Sequence, residues 1–321
     1  MIYTEKDIIK IVNEALQHIV YNNVETLYTP VKYVIDNGGK RIRPTLLIMA
    51  YNLFKDDVET VVDNALALEI YHNLTLLHDD IMDKAEIRRG NPCVHIKWDL
   101  NTAIQAGDAM FCIAYRLMTE NNFNLDAIKA FNEATIGVFE GQQYDIDFEN
   151  NNHVTEEQYM EMIRLKTALL IATPLKIGAQ LAGADKHDVE ALYKFGEQIG
   201  LAFQLQDDML DVYADTKLFG KNIGGDIVGN KKTFMLIKAL EIAKDDRETL
   251  LKWIGKEVFD KDEKINAVKD IYDKLNIRDI CQQKVNRFFD IAMKQLELVK
   301  VEEQRKRVLK EYALKLMDRE A

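Results

Sequence analysis

An all-α fold is what this sequence predicts, on two observations. Its 321 residues include only 4 Pro and 15 Gly against abundant Leu, Ile, Ala, Glu and Lys, so little interrupts helices. Apolar residues also recur at helical spacing over long stretches, above all Val58, Val61, Val62, Leu66, Ile70, Leu74, Leu77 and Ile81. No linker separates these stretches, and 47% hydrophobic residues supply an ample core, so a single domain over residues 1–321 is expected. The net charge of -11 argues against wholesale binding to nucleic acid or anionic membrane. Three cysteines, Cys93, Cys112 and Cys281, lack C-x-x-C spacing, which points to a reducing compartment and, by default, the cytoplasm. Neither a signal peptide nor a transmembrane segment is expected, because no apolar run reaches about 18 residues.

Taken in order, Ile8, Ile11, Val12, Leu16 and Ile19 predict a helix over Asp7 to Tyr21. Thr29-Pro30 and Gly38-Gly39 frame a short second helix. Lys40, Arg41 and Arg43 then stand on a turn before Pro44, which opens another helix. Val58 to Asp83 reads as one long helix, Lys84 to Pro92 as a polar loop, and Asn101 or Thr102 as the cap of a helix through Met118. A further helix spans Leu125 to Gly141. Thr155 and Gln158 form a capping box for the next, which contains Lys166-Thr167 and bends near Pro174. Asp188 to Val212 is a second long apolar-faced helix, followed by a Gly-rich loop from Asp215 to Asn230. Helices around Phe234 to Ala243, Glu263 to Leu275 and Lys284 to Met317 complete the chain.

Two D-D-x-x-D motifs, Asp79-Asp80-Ile81-Met82-Asp83 and Asp207-Asp208-Met209-Leu210-Asp211, each close a long apolar-faced helix with no paired cation beside them. Two carboxylates about 4 Å apart repel by roughly 4 kcal/mol at an effective dielectric near 20. Such a cluster calls for cations, and all-oxygen ligands suit Mg²⁺ shared with substrate phosphates. One acidic motif could be solvated decoration. Two at matching positions, where the helix macrodipole disfavours anions by about 0.3 to 1 kcal/mol each, make decoration a poor account. On the helix, Asp79 and Asp83 share a face with His72, while Gln204, Asp207 and Asp211 form one stripe with Asp208 on its edge. Arg88-Arg89 and the basic turn at Lys40, Arg41 and Arg43 supply forks and charges for a di- or polyphosphate.

These residues resemble the trans-isoprenyl diphosphate synthases, or polyprenyl synthetases, over essentially the whole chain. The matching segments are Gly38-Gly39-Lys40-Arg41-Ile42-Arg43-Pro44, His72 to Asp83 with Arg88-Arg89-Gly90, Lys166-Thr167, Phe203-Gln204-Leu205-Gln206-Asp207-Asp208, and Lys221 to Lys231. The resemblance implies antiparallel helices around a central deep cavity, usually as a homodimer. It also implies head-to-tail condensation of isopentenyl diphosphate with an allylic diphosphate. By resemblance, Asp79, Asp83 and Asp207 are the principal Mg²⁺ ligands, with Asp80, Asp208 and Asp211 contributing directly or through water. Three ions are implied with substrate bound, and Mn²⁺ as a substitute. Lys40, Arg43, His72 and Arg89 correspond to the isopentenyl diphosphate site. Arg88, Lys166, Lys221 and Lys231 correspond to allylic diphosphate contacts, and the loop from Lys221 to Lys231 is one residue longer than in some farnesyl synthases. The carbonyls of Lys166 and Thr167 and the amide oxygen of Gln204 face an allylic cation as neutral dipoles, and released pyrophosphate serves as the base.

A growing chain is expected to extend down the first-motif helix, where Leu74 lies roughly 7.5 Å and Tyr71 about 12 Å before Asp79. Another five-carbon unit would gain about 4 kcal/mol on burial, so termination must be steric. Leu74 and Tyr71 as a floor predict a geranylgeranyl product, with farnesyl or a longer product as alternatives. Two other classes share parts of the pattern: a terpene cyclase, which typically replaces the second motif with an Asn/Ser/Glu type, and a non-catalytic subunit of a heteromeric synthase. His78 reads equally as support for Asp79 or as a helix-end residue. The run Gln142, Gln143, Asp145 and Asp147 could approach the cavity or the dimer interface, but a structural role is favoured.

Overall fold

The computed structural model describes residues 1–149, 151, 153–214 and 224–318, and helices carry most of them. The chain divides into two compact units. The first comprises Met1–Asn132, Thr173–Leu192 and Val299–Leu309. Its α1 (Glu5–Gln17) starts earlier than predicted because Thr4 and Asp7 form a reciprocal capping box, and it buries Ile8, Val12 and Leu16. In α2 (Glu25–Asp36) Pro30 lies inside the helix rather than framing its start; the ring forfeits one backbone hydrogen bond but is itself buried. After α3 (Ile42–Asn52), a 3₁₀ turn at Val58–Val61 precedes α4 (Val62–Met82), so the long predicted helix is two elements.

Most of the circumference of α4 is buried, from Val62, Ala65 and Leu66 through Leu68, Ile70 and Tyr71 to Leu77, which makes it the central helix of this unit. It packs on α1, α2, α3 and most extensively α6 (Leu100–Thr119). The last contact is close. A Cβ at Gly107 of α6 would stand 2.2 Å from His78 Nε2 of α4, so glycine makes room for the imidazole. The predicted polar loop contains a small antiparallel pair, β1 (Ile87–Arg88) and β2 (Asn91–Pro92), followed by the short α5 (Val94–Lys97). The cap of α6 is Asp99, which accepts from the Thr102 N–H at 2.8 Å, correcting the assignment to Asn101 or Thr102.

The second unit comprises Glu133–Ala172, Tyr193–Leu298 and Lys310–Ala321. Here α7 (Leu125–Glu149) continues through Gln142–Asp147 instead of ending at Gly141. The predicted capping box opens α8 (Glu156–Ile163), which runs through a π turn at Arg164–Ala168 into α9 (Leu169–Ala182). The irregularity therefore comes before Pro174, which stays inside α9. Then follow α10 (Lys186–Tyr213), α11 (Gly225–Val228) within the predicted Gly-rich loop, α12 (Phe234–Ile242), the equally unforeseen α13 (Arg247–Ile254), α14 (Lys261–Lys274), α15 (Ile277–Glu297) and α16 (Glu303–Met317). The last two replace one predicted helix. A turn separates them where the Lys300 N–H donates to Asp188 at 3.0 Å. Tyr159, Leu205, Phe234, Met235, Tyr272 and Cys281 centre the apolar core. Glu156, in the first turn of α8, accepts from Lys238 of α12 at 3.2 Å and Lys284 of α15 at 2.6 Å, pinning three helices together. All three cysteines are free, and no helix among the described residues is long and apolar enough to cross a membrane.

Candidate active site

The first acidic motif ends α4. Asp80 is buried and its Oδ1 accepts from Arg88 Nε at 2.6 Å, so the expectation of a motif without a paired cation is corrected: β1 delivers one through the loop. Asp79 is half-buried and Asp83, at the helix C-cap, is exposed. The basic turn is divided in role. Arg41, left-handed at φ 52° and buried, pairs with Glu69 at 2.7 Å and donates to the Ile35 carbonyl at 3.2 Å, so it is a strut. Lys40 is exposed and Arg43 half-buried. Arg89 donates to the Gly38 carbonyl and to Asn73 Oδ1 at 3.2 Å, and its guanidinium lies 2.9 Å from where a Cβ on Gly39 would stand. Gly39 thus lets the guanidinium lie directly on the backbone. Burial pushes the half-buried His72 well below the ordinary imidazole range, helped by the guanidinium charges of Arg43, Arg89, Arg88 and Arg41, so it is neutral at pH 7.

On the same helix Tyr71 and Leu74 are fully buried. The Tyr71 ring packs on Phe111 of α6 at 6.3 Å and edge-on to Phe131 of α7 at 5.6 Å, and Tyr115 closes the group 5.1 Å from Phe131. His78 is seated against Gly107, and burial lowers its pKa; it belongs to the contact between α4 and α6.

In the second unit, α10 contributes Gln204, Asp207, Asp208 and Asp211 to a cavity of about 270 Å³. Asp145 of α7, Asp226 of α11, Lys166 and Thr167 of the π turn, and Lys231 and Lys232 also line it. Asp145, favoured as structural in the sequence, lines this cavity, and the sequence reading does not single out Asp226, Tyr159 and Lys232. The first had a signal: once α7 is continued past Gly141, Asp145 lies four residues beyond it, on the side that meets the π turn. A Cβ on Gly141 would stand 2.4 Å from the Lys166 backbone nitrogen, and one on Gly200 of α10 2.5 Å from Ala168 Cα. Glycines thus let α7 and α10 grip the π turn from both neighbours. Such one-residue expansions of a helix commonly mark functional sites.

The polar groups of the cavity form a connected chain. Thr167 Oγ1 donates to Gln204 Oε1 at 2.8 Å, Gln204 Nε2 donates to Asp208 Oδ1 at 2.8 Å, and the Tyr159 hydroxyl donates to Asp208 Oδ2. The Gln204 amide oxygen expected to face a cation is therefore engaged by Thr167. Asp208 is the buried member of its motif, whereas Asp207 is exposed and Asp211 half-buried. Burial, with the Asp226 charge, raises the Asp208 carboxyl well above the ordinary range, and burial with the Asp211 charge raises Asp226 to about 7. Lys166 Nζ meets Asp145 at 2.5 Å, and Asp211 Oδ2 accepts from the Asp226 N–H at 2.9 Å.

Crowded carboxylates, with those of Asp208 and Asp226 raised in pKa, all-oxygen donors and interspersed lysines fit a hard divalent cation carrying phosphate oxygens. Among the described residues, no His or Cys lines this cavity, so it offers oxygen ligands without a soft donor. Elsewhere, Asp185, His187 and Asp188 bring ligand atoms within 4.8 Å of one another. Their geometry is that of a helix start: Asp185 Oδ1 accepts from the Asp188 N–H at 2.9 Å, at the beginning of α10. Lys221 lies outside the described residues.

The polyprenyl synthetase family model matches residues 24–274. A short chain isoprenyl diphosphate synthase of Methanocaldococcus jannaschii is 40% identical over 271 residues, 83% of this chain and 82% of that protein. A geranylgeranyl diphosphate synthase of Sulfolobus acidocaldarius is 38% identical over 278 residues, 84% of each. A crystal structure of a geranylgeranyl pyrophosphate synthase superposes with a TM-score of 0.94 at 37% identity, covering 99% of this chain and 100% of that one. That of Pyrococcus horikoshii gives a TM-score of 0.90 at 31% identity, over 98% and 97%. The chain belongs to the polyprenyl synthetase family and is a prenyl-transferring enzyme.

Proposed function

We propose that this enzyme condenses isopentenyl diphosphate head-to-tail with dimethylallyl, geranyl and farnesyl diphosphates, and that its product is geranylgeranyl diphosphate. The observation that carries the reading is the second-motif cavity, where, among the described residues, five carboxylates, Asp145, Asp207, Asp208, Asp211 and Asp226, stand among three lysines without a Cys or His nucleophile. The allylic carbon–oxygen bond breaks to give an allylic cation and diphosphate. The double bond of isopentenyl diphosphate forms the new carbon–carbon bond, and the tertiary cation loses a proton to the released diphosphate.

Asp79, Asp83 and Asp207 are read as the principal metal ligands, with Asp80, Asp208 and Asp211 in support. Bound Mg²⁺, three ions when substrate is present and Mn²⁺ in its place, would neutralise the leaving diphosphate. Lys166, Lys231, Lys221 and Arg88 hold the allylic diphosphate, and Lys40, Arg43, His72 and Arg89 the isopentenyl diphosphate. Lys166 reaches phosphate by leaving Asp145, which shields its charge until substrate arrives. A positively charged first-unit cluster and a lysine-bearing acidic cavity are the two kinds of site that the two diphosphates require.

Relatives named for geranylgeranyl and geranylfarnesyl diphosphate favour a product of about this length. The aromatic group around Tyr71 supports a steric stop. The retained second Asp motif argues against a cyclase. A single domain is supported by the sharing of α7, α9, α10 and α16 between the two units. A homodimer is supported by exposed Ile136, Phe139 and Ile146 on α7. A cytoplasmic location is supported by three free cysteines.

The test is incubation of purified enzyme with labelled isopentenyl diphosphate and each allylic primer, followed by chromatography of the dephosphorylated products. A C20 alcohol from all three primers, abolished by chelation of Mg²⁺, is expected. A cyclic hydrocarbon, or no incorporation with any primer, would overturn the reading.

A further inference from the structure

Lys264 belongs to none of the motifs above, yet it is one of the largest fully buried side chains of the protein, at 1% exposure. No described carboxylate pairs with it. Its Nζ donates to Asn230 Oδ1 at 2.7 Å and to the Val228 carbonyl at 3.3 Å, and lies 4.2 Å from the centroid of the Phe259 ring. An ammonium buried with no described carboxylate beside it is costly, and among the described residues it is offset by groups at the end of α11, by the turn that follows and by the Phe259 ring. Val228 is the last residue of α11, so the cation also sits where the helix dipole is negative.

Asn230 is where this turn is tied. Its backbone is left-handed at φ 54°, its Nδ2 donates to the Ile254 carbonyl at 3.0 Å, and its own carbonyl accepts from Lys232 Nζ at 3.0 Å. The next residue is Lys231, whose N–H returns to the Asp226 carbonyl at 2.9 Å. Asp226 and Lys231 both line the acidic cavity. Gly224, at φ 83°, lies against the same helix as Lys264: a Cβ there would stand 2.6 Å from Ile265 Cδ1. Helix α14 therefore grips the start of α11 through Gly224 and its end through Lys264.

We propose that Lys264 is a positioning residue for the diphosphate-binding segment. Its buried ammonium locks Asn230 and the end of α11, so that Asp226 and Lys231 are set in place before substrate arrives. This rests on the reading of Lys231 as an allylic diphosphate contact. The consequence is specific to one substrate, because the groups assigned to isopentenyl diphosphate come from α3, α4 and the loops beside them.

The test uses the full-length enzyme with Lys264→Met, Asn230→Gly, Lys231→Met and, as a control on the exposed start of α14, Lys261→Met. Loss of charged hydrogen bonds predicts that Lys264→Met raises KM for farnesyl diphosphate about tenfold while KM for isopentenyl diphosphate stays within about twofold. Asn230→Gly keeps the left-handed backbone and removes the acceptor, so it gives the same split even if Lys264→Met fails to fold. Lys261→Met leaves both values unchanged. Unchanged or parallel KM values in the Asn230→Gly or Lys264→Met variants, while Lys231→Met raises the farnesyl value, would overturn the positioning role alone. An unchanged farnesyl KM in Lys231→Met would overturn the contact on which it rests.

Discussion

Arg88 alters the electrostatics of the first acidic motif. With Asp80 buried against its Nε, Asp79 and Asp83 are the more accessible carboxylates of that motif. Removing the guanidinium leaves the buried Asp80 without its ion-pair partner, and Arg88→Met is expected to cost roughly 2 kcal/mol, reduced from a fully buried pair because the Arg88 side chain is 35% exposed. Urea denaturation checks this, and the double variant with Asp80→Asn should regain most of the stability without regaining activity. His72 carries a second expectation. Its folded pKa is depressed, so the unfolded chain binds more protons below about pH 6.5, where free imidazole titrates. Stability therefore falls as pH drops from about 6.5 toward the folded value, and His72→Gln should lack that share of the loss when denaturation midpoints at pH 7.5 and 5.5 are compared.

At the scale of elements, the π turn at Arg164–Ala168 depends on its neighbours coming unusually close. Gly141→Ala would put a methyl 2.4 Å from the Lys166 nitrogen, a backbone atom that cannot swing away. The turn and its Lys166 and Thr167 must shift. A displacement of that kind is expected to lower kcat by about 100-fold, with a stability loss of about 1–3 kcal/mol from overpacking. Steady-state kinetics alongside thermal melting separates the two effects. On α4 the aromatic group around Tyr71 predicts that Tyr71→Ala and Leu74→Ala lengthen the product, readable by chromatography of the prenyl alcohols. An unchanged distribution in both variants would place the floor elsewhere.

At the scale of the whole molecule, Ile136, Phe139 and Ile146 follow one another at helical spacing on α7, and all three are exposed in the isolated chain. Sedimentation should find a dimer, and Ile136→Glu with Phe139→Glu should dissociate it. The net charge of -11 makes the lysines and arginines assigned to the two diphosphates local exceptions, as the anionic substrates of the proposed reaction require. Most of the fold class was legible in advance, because long periodic apolar stretches with few breakers leave no other regular structure to form. Both acidic motifs, the basic turn and the Lys166-Thr167 pair were visible too, since they are contiguous in the chain and their residue types state their chemistry.

The partners of those residues were not legible. Arg88 on Asp80, Asp145 on Lys166, Tyr159 on Asp208 and Lys264 on Asn230 join residues from 8 to 49 positions apart, and no local pattern encodes such pairs. The same holds for helix limits at α7, where the chain's own polarity suggested an end but packing against the π turn carries the helix on. Sequence alone determined the helical class and set the two acidic motifs at the ends of long helices, since both follow from residue type and short-range spacing. Tertiary packing decided which charges are spent on structure and which stay available to a substrate, because burial and long-range pairing exist only once the helices have met.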